Sequence, residues 1–519
     1  MTSINARSDP PECPPTAELG LMTTGVSQPI LEPLKYPEQD PKLSSKRFFD
    51  LMTIVGPGFI LASVTIGNGE IFSATRGGAV FGYAILWTFL IGAVLKASVV
   101  YAAGRYMVIT GEHPFARMGH LLPGVGHKGI GRHWLAVFFG LLAVVCFPAW
   151  CVAYLLALSQ WTPWTFGIGD GSPILWMGIA WILLGWATLF IKDFTVVERF
   201  QTVVVGLMVI FSIIAMFVSS PAWGEVARGL LPTVPAEYPQ WVQQNFPSVA
   251  ERAIPMEIIS YLGALGGGIY DYIGYVGTFR EKTWGMMGRP DNAEINAQLQ
   301  ALGPGQQIPL DMSEENLEGA RLGVKAVKID SVTSFVAVAI FAVTFMVLGS
   351  VILGTGGLQE VPADTNILQN QANFFTQIHP ALKYLYQLAI FAAFWGSVQA
   401  LLTVTYPYTV REAFAPVFPA VANPANWHKL KVGVASYTAG VAIFLALTGV
   451  SYTVAISFAG ILGGVFGLGL WGFVLVYAEH KMLPQRLRMK PFMQGLVIVS
   501  SLVMTVMGAI ALVQFFQSL

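Results

Sequence analysis

The sequence predicts an all-α polytopic membrane protein of about eleven transmembrane helices, in which two broken spans begin two inverted halves. Three observations predict it. Apolar residues make up 54% of the chain and charged residues only 11%, well outside the balance of soluble globular domains. Apolar stretches of roughly 20 residues, the length that crosses about 30 Å of hydrocarbon, recur from end to end. Two of these stretches, five spans apart, are interrupted by glycine-rich segments that each carry an acid, at 65–70 (Thr-Ile-Gly-Asn-Gly-Glu) and 266–271 (Gly-Gly-Gly-Ile-Tyr-Asp).

Residues 1–46 are polar, proline-rich and free of any apolar segment, which reads as a disordered cytoplasmic tail rather than a signal peptide or a folded domain. Repeat one occupies 47–219, with helices one to five near 48–80, 82–109, 134–160, 174–192 and 196–219. An external loop with five prolines fills 220–252. Repeat two occupies 253–478, with helices six to ten near 253–279, 322–353, 383–413, 431–449 and 451–478, and it contains a cytoplasmic loop at 281–320 whose polar stretch is expected to hold a short helix. Residues 479–519 carry helix eleven, near 492–517. Spans five apart cross in opposite directions, and broken helices in corresponding positions of two repeats are how many carriers build a midplane binding site.

Basic residues give the orientation. Arg105, Arg117, Arg132, Arg280, Lys282, Arg289, Lys325, Arg411, Lys431, Arg486 and Arg488 fall on one side, and only Arg76, Arg228, Arg252 and Lys383 on the other. The positive-inside rule then places the N-terminus in the cytoplasm and the C-terminus outside, in a plasma (inner) membrane.

Several function classes drop out. Lys+Arg and Asp+Glu balance at 29 each, so no basic surface recruits nucleic acid. No phosphate-binding glycine loop, nucleophile elbow or HExxH zinc motif is present, which argues against an enzyme and against a prosthetic group. Cys13, Cys146 and Cys151 have neither disulfide-framework nor zinc spacing. His120, His127 and His133 share one cytoplasmic loop and read as solvated loop residues.

What remains is the pair of interruptions. A carboxylate within a bilayer span costs roughly 2.5 kcal/mol or more on insertion scales, so Glu70 and Asp271 are expected to face a partner, a cavity or a transported ion. Packing explains the glycines of both segments but not the acids beside them. Lys96, well inside span two, is the third buried charge and is expected either to pair with one of these acids or to take part in coupling. Gln399 and Thr403 in span eight are candidate pathway residues, with helix-to-helix hydrogen bonding as their plainer role.

Gly56-Pro57-Gly58, Arg76-Gly77-Gly78, Phe81-Gly82-Tyr83, Leu86-Trp87 and Gly104-Arg105-Tyr106 through Thr110-Gly111 resemble the NRAMP family of divalent-metal transporters. The likeness extends to Thr278-Phe279-Arg280-Glu281-Lys282 and Glu479-His480-Lys481. It implies the LeuT-type fold, with a metal site where spans one and six break. The family's Asp-Pro-Gly-Asn aligns with Gly67-Asn68-Gly69-Glu70, so the usual aspartate is missing and a glutamate stands at the asparagine position. Its Met-Pro-His aligns with Tyr270-Asp271-Tyr272, and its later histidine with Gly277. Loss of the thioether and gain of a second acid favour a hard cation such as magnesium or manganese, as in the divergent NRAMP-related magnesium transporters. The ligand set implied is Glu70, Asp271, Asn68, Gly67, Gly267 and Tyr270, with the metal as transported substrate. Two other readings stay open: a LeuT-type carrier of a small organic cation caged by Tyr270 and Tyr272, and a non-transporting metal sensor.

Overall fold

The computed structural model describes residues 32–518 apart from 46, 48–49, 52–66, 122–128, 192–194, 303–305 and 363–366. Among the described residues, eleven helical segments follow in the expected order, seven of them single helices long and apolar enough to cross a membrane. Span one is described from a turn at Gly67, through a widened helical turn over Asn68–Ser73, into Ala74–Phe81; its expected first part at 52–66 and the side chain of Asn68 lie outside the described residues. Then come Leu86–Thr110, Trp134–Phe166, Leu175–Ala187 and Thr195–Val218. Span six is two helices, Ile254–Ala264 and Ile269–Gly277. Glu314–Leu353, Leu382–Phe414, Trp427–Leu447, Tyr452–Met482 and Pro491–Gln517 complete the set.

Glycine sets several of these boundaries. Gly111 at φ +79 and Gly167 at φ +64 end spans two and three in the left-handed conformation that releases a helix C-terminus. Within the bundle, small residues let backbones touch: a Cβ on Gly69 would lie 2.1 Å from the Ala264 carbonyl oxygen, and one on Gly263 2.2 Å from that of Gly460. Spans one, six and ten therefore meet backbone to backbone at the level of the two breaks. At the perimeter, exposed Leu141, Ile214, Phe444 and Val513 present apolar surface from spans three, five, nine and eleven, as helices solvated by lipid must. The chain is an integral membrane protein.

Two expectations fail on the side of the bundle that carries most of the basic loop residues. Residues 34–44 do not behave as a disordered tail: Leu34 pairs with the strand-like stretch at 309–311, the Tyr36 hydroxyl donates to the Ile109 carbonyl at 2.8 Å, and the Lys325 ammonium donates to the Leu43 carbonyl at 2.6 Å. The burial of Leu34 and Leu43 in this docking explains the order. His120 and His133 are buried rather than solvated, because the loop after span two folds into the helix Pro114–Leu121 and packs beneath the bundle. His127 lies outside the described residues. Cys146 and Cys151 are free and buried.

Candidate functional site

The two breaks face each other. In span six, Gly266 and Gly267 adopt φ +66 and +86, conformations that favour glycine, and the chain restarts at Ile269 with Asp271 as an acid in the first turn. Asp271 accepts from the Gly268 amide at 3.2 Å, the placement in which a carboxylate satisfies a helix N-terminus and its dipole. Glu70, on the widened turn of span one, reaches across to accept from the Gly266 amide at 2.6 Å through Oε1. Its Oε2 is buried without a side-chain hydrogen-bond partner among the described residues. Both acids are almost wholly removed from solvent, at 0% and 4% exposure.

A cavity of about 20 Å³, room for one water-sized sphere, opens at this junction. Asp271, Gly267, Gly69 and Ala264 form one side. Trp150 and Tyr154 of span three, with Leu401 and Tyr406 of span eight, form the other.

Lys96 is also at this junction, but not in the expected pairing. Its ammonium donates to the carbonyls of Gly263 at 2.8 Å, Leu265 at 2.6 Å and Gly267 at 2.7 Å, while Glu70 and Asp271 act on it through space. The end of a helix leaves carbonyls without amide partners, and a buried cation is their natural complement.

Other candidate residues have different work. The Gly267 carbonyl is occupied by Lys96, and that of Gly67 accepts from the Ile71 amide at 3.0 Å; Gly67 also makes room for Tyr154, whose hydroxyl would lie 2.7 Å from a Cβ there. The Tyr270 carbonyl accepts from the Thr409 hydroxyl at 2.7 Å, and its ring lies beside Trp150 with centroids 5.8 Å apart. Tyr272 is not part of a cage: its hydroxyl donates to the Gly266 carbonyl at 2.6 Å and pins the break. Thr403 donates back to the Gln399 carbonyl at 2.8 Å, and the span-eight residues at the cavity are instead Leu401 and Tyr406.

Sequence reasoning also missed Trp150 and Tyr154, whose four-residue spacing puts two large rings on one helix face, and Glu257, a further acid inside span six. Glu257 accepts from Arg76 at 2.8 Å and Tyr261 at 2.6 Å and lies 2.8 Å from Arg252. This cluster ties the second part of span one to the first helix of span six. Just past the second helix of span six Arg280 donates to both oxygens of Glu412, at 2.7 and 2.9 Å, tying span six to span eight. Among the described residues no group of three or more His, Cys, Asp or Glu side chains is arranged to hold a metal, and of the two acids only Asp271 lines the cavity.

A profile of the family described as "Natural resistance-associated macrophage protein-like" matches residues 58–514. Among curated proteins, the chain is 32% identical to rat Natural resistance-associated macrophage protein 2 over 15% of this chain and 14% of that protein. It is 25% identical to the Mycobacterium leprae divalent metal cation transporter MntH over 34% of this chain and 40% of that one. These alignments span well under two thirds of either relative. In fold, the chain is similar to crystal structures of the Eremococcus coleocola manganese transporter. One variant has 13% identity and a TM-score of 0.61, covering 93% of this chain and 89% of that one; a complex with an aromatic bis-isothiourea compound has 14% identity and the same score.

Proposed function

The chain belongs to the Nramp family, and from that premise we propose that it is a secondary carrier moving a divalent cation by alternating access. Glu70 and Asp271 are its carboxylate ligands. The observation that carries this reading is the buried Glu70 Oε2, without a side-chain partner among the described residues, at a junction where Asp271 faces a cavity of about 20 Å³. A buried carboxylate oxygen without a donor costs desolvation energy that a cation would recover.

Around the cavity the donors are oxygens, with neither thioether nor imidazole among its walls. Oxygen donors suit magnesium or manganese better than softer ions. In the cycle, the Arg76–Glu257–Arg252 cluster closes the outer path and the Arg280–Glu412 pair the inner one; with both made, the site is occluded, and transport requires each to open in turn. The orientation that fits the basic loops is a cytoplasmic N-terminus and an external C-terminus in the plasma (inner) membrane, with repeats at 47–219 and 253–478.

The test is uptake of manganese and magnesium into proteoliposomes, beside uptake of a tritiated amine. Saturable divalent flux supports the proposal. Amine uptake insensitive to divalent cations replaces it with the organic-cation carrier, and tight metal binding without flux replaces it with the sensor.

A further inference from the structure

The first half of span six, Ile254–Ala264, ends inside the protein with its last carbonyls released by the turn at Gly266 and Gly267. Such a terminus carries a partial negative charge and, away from water, must find donors. Three of its carbonyls converge on one point, and that point is the Lys96 ammonium, at 2.6 to 2.8 Å from each. An ammonium has three N–H donors, and all three are used here. Lys96 is wholly buried and comes from another helix, span two. The charged groups that act on it are Glu70 and Asp271, both through space rather than in contact. The lysine is thus held by carbonyl dipoles, in the way that backbone carbonyls at unwound helices hold alkali ions in membranes.

We propose that Lys96 is a tethered cation filling a carbonyl-built site for a monovalent cation, so that the carrier needs no free alkali ion to hold its span-six break. Two consequences follow for the chain. Stability and transport of the natural protein are indifferent to sodium and potassium. Removal of the ammonium uncovers a site for an alkali or small primary ammonium ion on the carbonyls of Gly263, Leu265 and Gly267. The proposal concerns the break itself and stands whichever cation is the cargo.

The experiment is thermal melting of the purified natural protein, Lys96→Met and Lys96→Ala in detergent without divalent cations. Choline, sodium, potassium and methylammonium chlorides are compared at equal ionic strength. A ligand that binds only the folded state raises its melting temperature in a saturable way. The natural protein is expected to melt alike in all four salts. Both variants are expected to melt several degrees lower in choline and to regain most of that loss, saturably, in at least one of the small cations. Methylammonium is expected to act most strongly on Lys96→Ala, where the missing side chain leaves room for it. Folded variants that respond to the salts no differently from the natural protein would overturn the proposal. So would a saturable sodium or potassium response of the natural protein, or variants that fail to fold in every salt, since a free cation would then not replace the ammonium.

Discussion

Replacing Glu257 by glutamine removes the charge at the centre of the Arg76–Glu257–Arg252 cluster while keeping its shape. Glu257 and Arg76 are 0% and 3% exposed, and Arg252 is 15% exposed. The carboxylate accepts from Arg76 Nε at 2.8 Å and from the Tyr261 hydroxyl at 2.6 Å, and its other oxygen lies 2.8 Å from Arg252. Glu257→Gln therefore leaves two guanidiniums around a neutral amide. Removing one partner of a buried ion pair costs about 3–5 kcal/mol, because the other charge stays buried and uncompensated. Arg252 reaches solvent and relaxes, and Arg76 keeps its bond to the Pro362 carbonyl at 2.8 Å, so the lower end, about 3 kcal/mol, is expected. Arg76→Met in the same background removes the stranded charge, and the double variant is expected to recover about 1–2 kcal/mol relative to the sum of the single losses. Unfolding of the four proteins in detergent micelles, followed by tryptophan fluorescence, measures this cycle. A Glu257→Gln loss below about 0.5 kcal/mol, the size of an ordinary surface substitution, or a coupling of zero would refute the reasoning.

Gly69→Ala is expected to abolish transport and lower the melting temperature, since its methyl would lie 2.1 Å from the Ala264 carbonyl, a backbone atom that cannot rotate away; flux near the natural level would contradict this. His113, in the loop after span two, is held by burial at about 4 against an ordinary 6.5. The unfolded chain takes up that proton first as pH falls, so its contribution is complete above about pH 6.5 and is lost between there and about pH 4, at up to about 1.4 kcal/mol per pH unit. The His113→Gln protein is expected to show a flatter acid limb in a melting-temperature profile, and an unchanged limb would count against the assignment. Tyr36→Ala removes the hydroxyl bond to Ile109 and the ring packed on Gly319, and is expected to speed tryptic cleavage at Lys35 and Lys42 severalfold without changing cleavage elsewhere.

Span count and order were legible because bilayer thickness imposes one length on every crossing helix, and the sequence repeats it. The breaks were legible because acids are costly in lipid: Glu70 and Asp271 stood out against apolar neighbours, and the structure brings both to one junction. Their partners were not. Lys96 read as a mate for the acids because charge is visible in a sequence, whereas the carbonyls it meets belong to every residue alike and become available only where a helix ends. Tyr272 read as a cage wall because aromatic character is visible, and its hydroxyl's bond to the Gly266 carbonyl is not. Glu257 escaped notice although the same cost applies to it, being near the start of a span where an interfacial position was as natural. The order of residues 34–44 depends on a surface supplied by segments more than 60 residues away, which local composition does not report.

The most direct test of the central claim is the binding and flux of manganese and magnesium in the natural protein, Glu70→Gln and Asp271→Asn, by calorimetry and proteoliposome uptake on the same preparations. The account predicts that each substitution, which keeps side-chain shape and removes one charge, weakens binding at least tenfold and abolishes flux while the proteins stay folded. Natural binding and flux in both variants would contradict it, because the two carboxylates would then hold no cargo.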